Sequence, residues 1–149
     1  MPSPSAGHET VSEVRVRYAE TDQMGVVYHA NYLIWCEIGR TDFIRTLGPS
    51  YAEMEAMGVR LAVSDATVRY HGSARYDDPI RIRTTLVSVR SRALRFAYRI
   101  EQAQSGALLV TASTDLVSLG ADNRPAMLPP EIRAALASVV TAEPNGPRG

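Results

Sequence analysis

At 149 residues the chain fits one domain able to bury roughly 70% of its unfolded surface, and 45% hydrophobic with 21% charged residues is the composition of an ordinary globular protein. Sixteen basic residues balance sixteen acidic ones, so the net charge offers nothing to nucleic acid or to an anionic membrane. Every basic residue is Arg, and a single cysteine, Cys36, excludes an intrachain disulfide framework.

Residues 1–12 are rich in Pro, Ser and Gly and are predicted to form a disordered tail. They carry neither the charged start nor the apolar run of a secretory signal. No apolar stretch approaches membrane-spanning length, so the expected location is the cytoplasm. From Glu13 to Tyr18 polar and apolar residues alternate, with Val14, Val16 and Tyr18 on one face, which is the period of a half-buried strand. A polar loop follows, with Asp22 near its start and Gly25 at its turn. Asn31 is a good N-cap for a helix predicted to run to Leu47. Tyr32 to Cys36, with Ile38, is apolar almost all round, so that helix is expected to be engulfed by other structure. Cys36 reads as a small buried hydrophobe, and Trp35 and Phe43 as core or as the lining of an apolar pocket. Glu37 is expected to pair with Arg40 on the next turn. Gly39 costs about 1 kcal/mol inside a helix, which a closely approaching sheet would explain.

Gly48-Pro49 is a stop signal, and Ser50 with Glu53 resembles a capping box for a second helix from Ser50 to Met57. Four strands are predicted next: Arg60 to Tyr70, Ile80 to Val89, Leu94 to Ile100, and Leu108 to Leu119. Pro129-Pro130 opens a short amphipathic helix to about Val140, and residues 141–149 are expected to fray. Strand, long helix, then four strands is an α+β order, with one antiparallel sheet and a helix on one face, in a single domain of residues 13–140.

Asp22 precedes the N-terminus of a buried helix, where backbone N–H groups lack internal partners and the dipole favours negative charge. That is a place to stabilise an oxyanion, and equally a common position for a turn residue. The run Asp22-x-x-Gly25-x-Val27-Tyr28-His29-x-Asn31-Tyr32 resembles the signature of the hotdog-fold acyl-CoA thioesterases of the 4-hydroxybenzoyl-CoA thioesterase type. Ala74-Arg75-Tyr76-Asp77-Asp78 resembles the same family at the expected distance, and the similarity runs from Glu13 to Leu136.

The resemblance implies a five-stranded antiparallel sheet wrapped around one long central helix. It implies hydrolysis of an acyl- or aroyl-CoA to free acid and CoA, with Asp22 as general base or nucleophile. Backbone N–H groups around Tyr28 and His29 would polarise the thioester carbonyl, and His29 would orient water or act as an acid. Tyr28, Asn31 and Tyr32 would hold the loop. The site would be shared across a homodimer, or a homotetramer of two dimers, with Ser64, Asp65 and Thr67 supplied by the partner's strand. Arg75, Arg90 and Arg92, at turns between strands, are the candidates for the CoA phosphates. No metal and no cofactor beyond the substrate's own coenzyme A is expected, and no nucleic acid or membrane partner. A non-catalytic acyl-CoA-binding module and a hotdog enoyl-CoA hydratase are the alternatives.

Overall fold

Five strands build one antiparallel sheet, and the apolar side of a single helix packs on its inner face. The computed structural model describes residues 8–47 and 51–141. Its elements are β1 (Glu9–Arg15), α1 (Asn31–Arg45), α2 (Tyr51–Ala56), β2 (Arg60–Tyr70), β3 (Pro79–Val89), β4 (Ala93–Gln102), β5 (Leu108–Leu119) and α3 (Pro130–Ala137). The strand order is β1-β3-β4-β5-β2, and every neighbouring pair is antiparallel. This is the α+β sheet-and-helix arrangement expected of the hotdog fold.

On β3, Ile80, Ile82, Thr84 and Leu86 are fully buried while Arg81 and Arg83 alternate on the outer face. Leu94, Phe96, Tyr98 and Ile100 of β4 continue the buried layer. Against it α1 sets Tyr32, Trp35, Cys36, Gly39, Phe43 and Ile44, with Phe43 edge-on to Phe96 at 5.5 Å between ring centroids. Gly39 lets the helix close on β3, because a Cβ there would lie on Thr84 Oγ1 and 2.9 Å from Ile82 Cγ2. The outer face is polar and paired. Glu101 receives Arg83 at 3.1 Å, Arg81 at 3.2 Å and Arg99 at 3.8 Å, and Arg83 also meets Glu9 at 3.0 Å. Such a face is compatible with water and needs no second layer.

The first strand begins at Glu9, four residues before the expected start, and ends at Arg15. Its partner decides this: Glu9 stands opposite Thr85 and Arg15 opposite Pro79, and the Ser12 hydroxyl donates to Asp42 Oδ2 on α1 at 2.7 Å. The residues from Glu9 to Ser12 are therefore sheet and not tail. Beyond Arg15 the chain turns, and Tyr18, expected on the buried face, is exposed. Within one protomer α1 is not engulfed, since Leu33 and Ile34 are 41% and 46% exposed. Arg40 does not meet Glu37; it turns inward to donate to the Tyr98 hydroxyl at 3.2 Å. Past α3, Thr141 N–H donates to Leu86 O at 2.8 Å, so the chain is still held there. The expected stop at Gly48-Pro49, the Ser50 cap and the tails of residues 1–7 and 142–149 lie outside the described residues.

Candidate active site

Between β1 and α1 the chain folds back on itself. Thr21 and Val27 form an isolated antiparallel bridge, Asp22 N–H donates to Val26 O at 2.9 Å, and Gly25 N–H donates to Asp22 O at 3.0 Å. Gly25 sits at φ +79°, a left-handed conformation that favours glycine. One carboxylate oxygen of Asp22, Oδ1, accepts from Met24 N–H at 2.8 Å and Val26 N–H at 3.4 Å. Oδ2 accepts no hydrogen bond among the described residues, and Asp22 is exposed. The residue therefore shapes the turn with one oxygen and leaves the other without a partner among the described residues.

The loop is tied to the β2–β3 connection. Val27 N–H donates to Ala74 O at 2.9 Å, Val26 bridges to Arg75, and Ala74 N–H donates to the buried Tyr32 hydroxyl at 3.1 Å. Burial pushes that hydroxyl's pKa up, with the Ala74 bond pulling the other way. Asn31 does not cap the helix. Ala30 occupies the cap position, while Asn31 Nδ2 donates to Glu20 O at 3.0 Å and Tyr28 O at 3.3 Å. Asn31 and Tyr32 thus hold the loop, as the resemblance implied.

The unsatisfied donors lie one residue further along than expected. Tyr28 N–H is spent on Glu20 O at 2.8 Å, and Asn31 N–H on Tyr28 O at 3.0 Å. The N–H groups of His29 and Ala30 have no acceptor among the described residues. The Tyr28 N–H is thereby removed as a carbonyl-polarising group, and that of His29 is kept. The His29 ring stands 4.5 Å from the Tyr28 ring and 6.4 Å from Tyr70, and the Tyr70 hydroxyl donates to His29 O at 3.4 Å.

Tyr70, at the end of β2, is thus the strand residue that reaches this loop. Thr67 and Asp65 stand opposite Ser113 and Asp115, residues that alternate with the buried Ala112, Thr114 and Leu116. Both therefore point to the outer face, away from α1, and neither joins Asp22 within one protomer. Ser64 lies in the irregular step between Val63 and Asp65, its hydroxyl donating to Asp115 O. Arg75 is beside the loop, whereas Arg90 and Arg92 flank the β3–β4 turn at the other end of an 11-residue strand. That separation is on the order of 30 Å, too far for all three to grip one diphosphate in a single protomer. A cavity of about 470 Å³ at that far end is lined by Ser64, Ser88, Arg90, Arg95 and Asp115 among others.

Two residues at this site, Glu20 in the loop and Tyr70 on β2, carried no signal in the sequence. Glu20 is only 4% exposed and accepts from the Trp35 indole, and Tyr70, the single aromatic of β2, donates to His29 O from the end of that strand. Cys36 is buried at 1% exposure, out of reach of a reactant, and burial pushes its thiol pKa up to about 12, away from the thiolate a nucleophile needs.

The described chain has no helix long and apolar enough to cross a membrane. Residues 16–136 match the model of the thioesterase-like superfamily. A protein named putative acyl-CoA thioesterase YneP, from Bacillus subtilis, is 42% identical over 93 residues, which is 62% of this chain and 67% of that one. The acyl-CoA thioester hydrolase YbgC of Escherichia coli O6:H1 is 40% identical over 92 residues, 62% of this chain and 69% of its own. Among solved structures, the DHNA-CoA thioesterase of Staphylococcus aureus superposes with TM-score 0.83 at 36% identity, covering 88% of this chain and 90% of that chain. A hypothetical protein from Thermus thermophilus, TT1821, gives TM-score 0.82 at 38% identity over 89% of this chain and 98% of its own. With the loop built around Asp22 and the sheet-and-helix frame that holds it, the chain belongs to the thioesterase-like superfamily and is a thioester hydrolase of the hotdog fold.

Proposed function

We propose that this enzyme hydrolyses an acyl- or aroyl-CoA thioester, with Asp22 acting on water or directly on the carbonyl. The observation that carries this reading is the Asp22 carboxylate itself. Oδ1 is fixed by two backbone N–H groups, and Oδ2 is open on the exposed loop that leads into α1. As general base, Asp22 takes a proton from water while the water oxygen adds to the thioester carbon. The carbonyl oxygen gains negative charge, for which the N–H groups of His29 and Ala30 are the free donors. Collapse expels the CoA thiolate, which takes up a proton, and the acid is released. As nucleophile, Asp22 would form a mixed anhydride that water then cleaves. The names of the relatives, acyl-CoA thioester hydrolase for YbgC and DHNA-CoA thioesterase for the Staphylococcus protein, support a CoA ester as substrate.

The same reading includes a second copy of the chain, as a homodimer or a tetramer of dimers. Among the described residues β2 is paired on one side alone, and Val63 and Tyr70 along it are 50% and 49% exposed. Pairing of β2 with its counterpart would cover that edge and bring the far end of a partner, with its Arg90 and Arg92, towards the Asp22 loop. The enzyme is further proposed to work in the cytoplasm.

The test is thiol release from a panel of short, long and aromatic acyl-CoAs by the wild type and by Asp22→Asn, beside a direct CoA-ester binding assay. Turnover is expected to fall at least 10²–10⁴-fold in the variant with binding retained. Wild-type turnover in Asp22→Asn would overturn the assignment.

A further inference from the structure

Glu20 is a buried carboxylate in the middle of a catalytic loop, and the hydrolysis derived above does not use it. Both of its oxygens are occupied. Oε1 accepts from Arg17 N–H at 2.7 Å; Oε2 accepts from the Trp35 indole N–H at 3.1 Å and from Arg17 Nη2 at 3.4 Å. Its backbone is equally committed, because Glu20 O receives Tyr28 N–H at 2.8 Å and Asn31 Nδ2 at 3.0 Å. A carboxylate so filled and so far from water is poorly placed to take a proton from a reactant. It is well placed to hold other groups still.

We propose that Glu20 is a positioning residue of this active site, fixing Asp22 on one side and the free His29 and Ala30 N–H groups on the other through its clasp on Trp35, Arg17 and Tyr28. The inference rests on the reading of Asp22 as the reacting carboxylate. Its physical basis is that one residue bonds to both arms of the loop. The side chain reaches forward to Trp35, on the first turn and a half of α1, and back to Arg17, two residues past the end of β1. The carbonyl takes the N–H of the residue just before His29. Asp22 hangs two residues beyond this anchor, across a single bridge at Thr21. A change that lets the anchor shift moves the base and the oxyanion donors relative to each other, while the outer parts of a substrate site stay where they are. The signature is therefore a loss in kcat with KM little changed.

Glu20→Gln tests this with the shape preserved. A carboxamide offers one acceptor where the carboxylate offers two, so either Arg17 N–H or the Trp35 N–H faces an NH2 group. The expected result is a kcat lower by roughly 10- to 100-fold with KM within about 3-fold. Trp35→Phe removes one donor, keeps an aromatic ring in the core, and is expected to lower kcat in the same sense by roughly 3- to 10-fold. It serves alone if Glu20→Gln fails to fold. In the Asp22→Asn background, Glu20→Gln should lower the residual rate by a smaller factor than it lowers the wild-type rate, because the placing of Asp22 no longer counts there while that of the His29 and Ala30 N–H groups still does. Wild-type kcat in both single variants overturns the inference, as does an equal further loss in the Asp22→Asn background, which would mark a general structural role. Failure of the underlying mechanism shows separately, as wild-type turnover in Asp22→Asn.

Discussion

At Asp22 one carboxylate oxygen shapes the turn, and the proposed role in hydrolysis falls to the other, which accepts no hydrogen bond among the described residues. Tyr32 has a comparable double position: its ring is buried against Trp35 at 5.1 Å between centroids, and its hydroxyl is the acceptor for Ala74 N–H. Tyr32→Phe keeps the ring and strands that buried N–H. The expected cost is about 1–3 kcal/mol in urea unfolding, with kcat lowered more than dimer formation, because the Ala74 segment also carries Val27. Unchanged stability would mean that Ala74 N–H finds another acceptor. Asp22 and Tyr32 were legible in the signature, while Glu20 was not. A glutamate at the end of a strand reads as a solvated charge until the fold places an indole N–H against it.

For the packing of α1 on β3, the decisive position is Gly39. Helix propensity alone favours Ala there by about 1 kcal/mol. The added Cβ would strike Thr84 Oγ1 and Ile82 Cγ2, so Gly39→Ala is expected to destabilise by about 1–3 kcal/mol. Thr84 Oγ1 is buried without a hydrogen-bond partner among the described residues, which makes it cheap to remove. Adding Thr84→Ala to Gly39→Ala should therefore restore part of the lost stability, read from paired thermal or urea melts. A melt of Gly39→Ala above that of the wild type would show that helix and sheet can separate at no cost. The glycine itself was readable as a sign of close approach, whereas the strand that approaches was not.

Across the whole protein, several buried acids respond to alkali in the same direction. Burial pushes the Cys36 thiol from its ordinary 9.0 up to about 12. Burial likewise raises the hydroxyls of Tyr98 and Tyr32. Above about pH 9 the unfolded chain gives up the thiol proton that the folded chain retains, so the unfolded state binds fewer protons and stability falls as pH rises. Below that pH this contribution is fully present. Thermal melts at pH 8, 9.5 and 10.5 should show a progressive fall that Cys36→Ala reduces, and native Cys36 should resist thiol reagents at pH 8. An equal fall in Cys36→Ala would assign the effect elsewhere. The exposed Leu33, Ile34, Val63 and Tyr70 set the other expectation at this scale. Sedimentation at micromolar concentration should show at least a dimer, and Val63→Asp should shift it towards single chains. A wild type that sediments as a single chain would remove the shared site.

The sequence by itself determined the class of the fold, the alternation along β3 and β4, the apolar character of α1 and the loop that carries Asp22. Those features are local: an alternation of two or a stripe of 3.6 is complete within its own segment. Only the tertiary structure decided where β1 begins, because Glu9 to Ser12 become strand through their register with β3. It also decided which loop N–H groups are free, since Tyr28 spends its own on Glu20. The same holds for Asp65 and Thr67, which face away from Asp22, and for Arg90 and Arg92, which stand a strand's length from Arg75. Each of these depends on a hydrogen bond or a pairing between distant parts of the chain. Such a partner leaves no trace in the residues on either side.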